Sequence, residues 1–320
     1  MARARRGDSV DGVLLLDKPS GITSNHALQK ARRLLNAAKA GHTGTLDPLA
    51  SGLLPMTFGE ATKFSSDLLD ADKLYRATVR FGVRTRTADA EGEVIETRPV
   101  AFTRGQLEAA LARLTGTIEQ VPPMHSALKR DGTALYVYAR AGVEVERAPR
   151  SATIHRLALI EFAGQTAVID VHCSKGTYVR VLAEDLGAAL GCGAHLAALR
   201  RTGVGALTLA RSVALDALEA MPPAVRREWL LPVDTLLSAL PRVALGPEQA
   251  RRFTHGNAID LGRAAGRVRV YGPGEQLLGL AEIDERGALN PRRLVAAKEA
   301  TKQATNEDEP PRVAPSNSAR

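Results

Sequence analysis

The sequence predicts an α+β fold: a mixed, largely antiparallel sheet with helices packed on it and a smaller β-rich module near the C-terminus. Three observations carry this expectation. Residues Tyr75–Phe81 alternate, with Tyr75, Ala77, Val79 and Phe81 on one side and Arg76, Thr78 and Arg80 on the other. That is the period of a half-buried strand with a basic outer face. Ile154–Phe162 and Ala167–Cys173 read as two further strands joined through Gly164 as a hairpin. Helices and strands also follow one another without the regular βαβ rhythm of a parallel sheet.

Taken in order, residues 1–10 form a basic arm. The apolar run Val13–Leu16 reads as a buried strand ending at Lys18-Pro19. Ser24 is placed to cap a helix reaching about Leu35, whose apolar stripe is Ala27, Leu28, Ala31, Leu34 and Leu35. Lys30, Arg32 and Arg33 lie off that stripe, as a solvated face or as phosphate contacts. Thr103 and Gln106 make a capping box before Leu107, Ala110, Leu111 and Leu114, and Gly116 stops that helix. Pro122-Pro123 marks a loop. Thr177 reads as the cap of a helix with the buried stripe Val179, Leu182, Ala183, Leu186 and Leu190, which leaves Tyr178 and Arg180 in the first turn but off the core face. The free N–H groups of that helix start suit an anion.

Pro222-Pro223 and Leu240-Pro241 bracket a connecting stretch, and from Arg242 the texture changes to short strands and glycine turns. From Lys298 the chain is rich in Thr, Asn, Glu and Pro and has too little apolar content to pack, so disorder is expected there. The organisation is therefore a 1–10 arm, an 11–240 main domain, a 241–297 β-rich domain and a 298–320 tail.

Composition narrows the function. The net charge is +8 and the pI about 9.8, a balance that suits a polyanionic partner, nucleic acid first. Val13–Leu16 is far too short to span a bilayer, and no apolar stretch of signal-peptide length follows Arg3, Arg5 and Arg6, so the chain reads as cytoplasmic. Cys173 and Cys192 give no disulfide framework. With His172 and His195 they do not make a zinc site either: His172 and Cys173 are strand neighbours on opposite faces, and Cys192 stands between two glycines. No dinucleotide fingerprint and no P-loop is found.

The stretch Gly41–Pro55, GHTGTLDPLASGLLP, is the densest in information. Gly and Pro at this density mean a loop held in specific backbone shapes. Asp47 is its one ionised side chain, and Pro48 pushes the Asp47 backbone towards an extended conformation. An Asp-Pro pair is most often a surface turn. Here Leu46, Leu49, Leu53 and Leu54 interleave with the polar residues, so the loop is expected against a core. A lone carboxylate in such a place is a candidate nucleophile or base, ionised at neutral pH at its ordinary pKa.

Residues Gly41–Gly52 closely resemble the signature of the TruB-type RNA pseudouridine synthases, bacterial tRNA-modifying members above all. The resemblance covers roughly Asp11 to Val295 and extends to Val13–Pro19, Gly59–Lys63, Ser174–Arg180 and Gly191–Leu196, in the family's order. It implies isomerisation of uridine at position 55, in the T-loop of tRNA, by Asp47 acting on a flipped-out base, either at the uracil ring or at C1′ of the ribose. No cofactor is implied, because the reaction adds no atom and changes no oxidation state.

The same resemblance implies that Tyr75 stacks on the flipped base, with a further role in moving the C5 proton; an inward-facing strand residue is the plain reading of the same position. It pairs Arg180 with Asp47, lines the pocket with Tyr178, sets His42 beside the base and closes the wall with Leu199. Asp89 would hold Arg180, and Arg200, Arg201, Lys18 and Lys63 suit backbone phosphates. The family often has tyrosine where His125 stands. The C-terminal module resembles a PUA-like RNA-binding domain. A T-arm stem-loop is the expected partner, with no obligatory protein partner, no membrane and a monomeric chain.

Overall fold

The structure, a computed structural model, describes residues 7–126 and 128–296. The tail expected from Lys298 and the first residues of the basic arm lie outside the described residues. One sheet organises the main domain. Its strand order is Val213–Ala214, Gly12–Lys18, Ser51–Phe58, Ala194–Val204, Lys73–Phe81, Thr166–Cys173, Arg150–Ala163 and Gly116–Gln120, with Ala40–His42 paired to Ser51–Phe58 and Leu207–Thr208 to Ala194–Val204. Within this sheet, strand pairing among the described residues is parallel between Gly12–Lys18 and Val213–Ala214 and between Ser51–Phe58 and Ala194–Val204, and antiparallel elsewhere. The sheet is therefore mixed and largely antiparallel.

Local sequence explains most elements. Lys73–Phe81 buries Ala77, Val79 and Phe81 and exposes Leu74, Arg76 and Arg80, following the period of two. The Thr103 hydroxyl and Gln106 side chain cap the helix Arg104–Arg113 reciprocally. The hairpin turns at Gly164, whose φ of 60° lies in the left-handed region. Two caps differ from expectation. Thr23, not Ser24, caps the helix Ser24–Leu34. Ser24 is buried and bonds Leu46 instead, accepting from its N–H at 2.8 Å and donating to its carbonyl at 2.9 Å. Tyr178, not Thr177, occupies the cap position of the helix Val179–Ala189, and the Thr177 hydroxyl donates back to the Ser174 carbonyl.

Two core clusters share one face of the sheet. The first joins Ala77, Val79, Phe81, Ile169 and Val171 to Leu107 and Leu111 of one helix and Leu182 and Leu186 of another. The second joins Leu14, Leu16, Leu54 and Met56 to Ala27, Leu28 and Ala31. Tyr75 and Leu199 pack against both clusters, so they sit at the seam between them. On the other face, Val13, Leu15 and Leu53 pack against Phe64, Leu68 and Leu237.

The C-terminal module is a five-stranded sheet in the order Arg242–Ala244, Gly266–Tyr271, Leu277–Ile283, Ala288–Leu294, Ile259–Asp260, with the helix Pro247–Thr254 contributing Phe253 to its core. Leu280 of this module belongs to the third cluster of the main domain, Tyr271 donates to Asp234 at 2.5 Å, and Arg267 pairs with Asp67.

Candidate active site

The Gly41–Pro55 stretch is only partly a loop. Ala40–His42 and Ser51–Phe58 are strands paired with each other, and the irregular part is Thr43–Ala50. The Thr43 N–H donates to the Pro55 carbonyl at 3.0 Å, and the Ala50 N–H closes a turn on the Asp47 carbonyl at 3.1 Å. Two glycines are obligatory for different reasons. Gly44 has φ +79°. Gly52, at φ +101°, lies where a Cβ would come within 2.3 Å of the Arg201 carbonyl oxygen, so no side chain fits. This contact belongs to the short parallel pairing of Ser51 and Gly52 with Arg200 and Arg201, beyond which the two strands part. The loop hangs at that opening.

Asp47 is held by Arg180, whose Nη2 lies 3.0 Å from Oδ2; the aspartate side chain remains 40% exposed while that of the arginine is 6% exposed. The same guanidinium reaches Asp89 at 3.7 Å and donates to the carbonyls of His125 at 2.7 Å and Thr87 at 3.3 Å. Arg180 is thus a buried hub and not the surface residue that the helical stripe alone suggested. Asp89 is fixed in turn by the Thr87 hydroxyl at 2.5 Å and the Glu91 N–H at 3.1 Å, and Ala88 before it takes a left-handed φ of 61°. Such strain in a non-glycine residue persists only where the surroundings impose it. His125 acts through its carbonyl, so the identity of its side chain is not what this contact requires.

Burial pushes the Asp47 carboxyl above its ordinary value; Arg180 opposes this, Asp89 adds to it and Lys18 opposes it again. Tyr75 stands directly opposite Arg201 in the sheet. Burial raises its phenol, and Arg201 opposes the rise while hydrogen-bonding the hydroxyl. Tyr178 is likewise raised by burial, and the charge of Asp47 acts on both tyrosines. His42 is lowered by burial and then by Arg201, and its Nδ1 is buried without a hydrogen-bond partner among the described residues. Asp47, Tyr75, Tyr178, Arg180 and Asp89 are therefore one electrostatic constellation, with Leu199 at the core seam beside Tyr75.

The basic residues expected on phosphates behave differently. Lys18 and Arg201 head the largest fully buried side chains. Lys18 donates to the carbonyls of Ile22 at 2.7 Å, Pro19 at 2.9 Å and Pro48 at 3.5 Å, so it ties the strand end to the Asp47 loop. Arg201 donates to the carbonyls of Leu53 at 2.7 Å and Gly44 at 3.1 Å. Lys63 pairs with Glu60 at 2.7 Å and donates to the Leu294 carbonyl at 3.0 Å, joining the C-terminal module to the main domain. Arg200 is 42% exposed and forms a two-point pair with Asp17 at 2.6 and 3.0 Å. The helix start at Tyr178 is also engaged: its N–H donates to Gln120 at 2.9 Å.

Sequence reasoning missed Arg201 as a positioning residue and Gln120 altogether. Arg201 had a signal, since it shares a strand face with Leu199 two residues earlier. Gln120 had none, because its partner lies in a distant element.

Comparison with known proteins shows the family. The TruB family pseudouridylate synthase N-terminal domain matches residues 32–179, the tRNA pseudouridylate synthase B C-terminal domain 180–238, and the pseudouridine synthase II TruB C-terminal domain 241–295. A protein of Aromatoleum aromaticum named tRNA pseudouridine synthase B is 60% identical over 296 residues, covering 92% of this chain and 96% of its own. One of the same name from Burkholderia mallei is 59% identical over 300 residues, covering 91% and 98%. Among solved structures, a Cbf5-Nop10-Gar1 complex matches with TM-score 0.68 and 25% identity over 88% of this chain and 84% of that one. An H/ACA RNP bound to a substrate RNA containing 2'-deoxyuridine matches with TM-score 0.67 and 22% identity over 93% and 92%, a likeness of fold. With consecutive family models along its length and relatives this similar over nearly all of it, the chain belongs to the TruB family of pseudouridylate synthases.

Proposed function

We propose that this protein isomerises uridine to pseudouridine at position 55 in the T-loop of tRNA, with Asp47 as nucleophile. The observation that carries the reading is the Asp47–Arg180 pair at 3.0 Å, in the Gly41–Gly52 motif of a chain about 60% identical to proteins named tRNA pseudouridine synthase B. A carboxylate can form a covalent adduct and leave again, which the reaction needs. The N1–C1′ bond breaks, the base turns, and a C5–C1′ bond forms; the proton lost from C5 is balanced by one gained at N1. Arg180 keeps the attacking oxygen aimed and opposes the effect of burial on the carboxyl.

In this scheme the uridine leaves its stack to reach Asp47. Tyr75 supplies the stacking face and a hydroxyl held by Arg201. Tyr178 and Leu199 wall the pocket, and His42 meets the base through packing. Arg200 at the rim is the residue of this set placed to approach phosphate. The module from Arg242 onwards adds affinity for RNA, acting as a PUA-like domain, and the enzyme works as a cytoplasmic monomer. The net charge of +8 supports RNA as the partner, and no helix among the described residues is long and apolar enough to cross a membrane.

The test is Asp47→Asn, which is nearly isosteric and cannot act as an anionic nucleophile. Loss of a group that acts only in the reaction lowers turnover by orders of magnitude and leaves ground-state binding nearly unchanged. The variant should bind a T-arm stem-loop as wild type does and release no tritium from C5-labelled uridine. Wild-type tritium release would overturn the assignment. The likeness to H/ACA complexes raises an RNA-guided reading; activity of the purified chain on the stem-loop, with no guide RNA or partner protein, separates the two.

A further inference from the structure

On the sheet face opposite Tyr75, three potential metal ligands converge. Leu74 and Arg76 face outwards, and His172 and Asp170 are their cross-strand partners. The neighbouring strand Arg150–Ala163 carries a β-bulge: Ile154 pairs with Cys173 and Arg156 with His172, leaving His155 as the extra residue. A bulge re-aims the side chain it carries. Here it brings His155 beside His172, with ring centroids 4.7 Å apart. Asp72, in the turn that leads into Lys73–Phe81, completes the group; its Oδ2 lies 3.3 Å from Nε2 of His155 and 3.6 Å from Nε2 of His172. One ligand atom from each residue falls within 4.8 Å of the others.

The spacing discriminates between two uses of such a cluster. A charge-assisted N–H···O bond measures about 2.7–2.9 Å, and both contacts are longer. In a tetrahedral site with metal–ligand distances of about 2.0–2.1 Å, adjacent ligands stand about 3.3–3.4 Å apart; the Asp72–His155 contact at 3.3 Å matches this, the Asp72–His172 contact at 3.6 Å comes close, and the whole group stays within 4.8 Å. Neither neighbouring lysine draws Asp72 away: Lys73 donates to the carbonyls of Leu69 at 2.7 Å and Ala71 at 2.5 Å, and Lys175 pairs with Asp70 at 2.7 Å. Cys173 is not a competing ligand, because it is buried on the other face and burial pushes its thiol up to about 11.

We propose that Asp72, His155 and His172 form a surface site for a divalent first-row metal of the zinc class, with two imidazoles, one carboxylate oxygen and water as ligands. Imidazole donors select such ions over magnesium or calcium. The bound ion clips the hairpin formed by Arg150–Ala163 and Thr166–Cys173 to the turn that leads into the strand of Tyr75. It stabilises the sheet and takes no part in the isomerisation, which lies on the other face.

The experiment uses the full, untagged chain, freed of metal and titrated with Zn²⁺ against a chromophoric chelator. One equivalent should bind more tightly than about 100 μM, raise the thermal midpoint and leave turnover at saturating RNA unchanged. His155→Gln and His172→Gln should each weaken binding by at least about tenfold and remove the thermal shift. In the unaltered protein, Zn²⁺ should move the ring resonances of two of the seven histidines. Binding weaker than about 100 μM, binding that survives both substitutions, or ring shifts confined to other histidines would each overturn the site.

Discussion

Lys18 offers the sharpest physical test of how the Asp47 loop is built. The side chain is fully buried, and its pKa is lowered from 10.5 to about 8, by burial first and against the pull of Asp47. The folded protein therefore binds this proton less readily than the unfolded chain does. Stability must rise with pH wherever the unfolded state holds more protons. Below pH 8 the ammonium is charged in both states and its full burial cost is present, about 3 kcal/mol for a shift of this size. Between pH 8 and 10.5 that cost is relieved. By pH about 9.5 the relief amounts to about 2 kcal/mol.

Other groups titrate in the same range, so the quantity to measure is the difference between wild type and Lys18→Met. Urea unfolding of both proteins at pH about 7 and about 9.5 gives that difference twice. Wild type should gain about 2 kcal/mol on the variant over this interval. The variant should also need a higher pH for turnover, because Lys18 helps hold the Asp47 carboxyl down. A difference that does not change with pH would refute the buried, charged lysine, and with it the account of how this strand end is tied to the loop.

Three further outcomes follow from the same geometry. Arg180→Met leaves Asp89 buried beside no countercharge and should cost about 3–5 kcal/mol in urea unfolding. The Asp47 carboxyl, already raised by burial, should rise further, so the acid limb of kcat/KM moves to higher pH; an unmoved limb would exclude Arg180 as its partner. Arg201→Lys keeps the charge and loses the fork that spans Leu53, Gly44 and Tyr75, so turnover should fall about 10–100-fold while stem-loop binding holds, and an equal loss in both would show a purely structural role. Tyr75→Phe should bind RNA like wild type and turn over slowly, whereas Tyr75→Leu should fail at both; wild-type activity in both variants would reduce Tyr75 to a core residue.

The features legible in the sequence are those that depend on near neighbours. The alternation in Tyr75–Phe81, the Thr103–Gln106 box, the Gly164 hairpin and the glycine-rich setting of Asp47 are each written within a dozen residues, because strand period, capping and turn chemistry are local. The resemblance to the TruB family then placed Asp47, Tyr75, Tyr178 and Arg180 in one site. What the sequence could not show is which polar side chains are buried. Ser24 looked like a cap and instead bridges to Leu46, since Thr23 already serves the helix. Lys18 and Arg201 looked like phosphate contacts, the ordinary fate of basic residues on an RNA-binding protein, and are the clamps beneath the loop. Arg180 looked exposed on its helix and is enclosed by two carboxylates and two carbonyls from other elements. A charge goes inside only where distant segments bring enough acceptors to replace water. That supply depends on how the strands carrying Gly52, Tyr75 and Arg201 come together, and tertiary structure alone decides it.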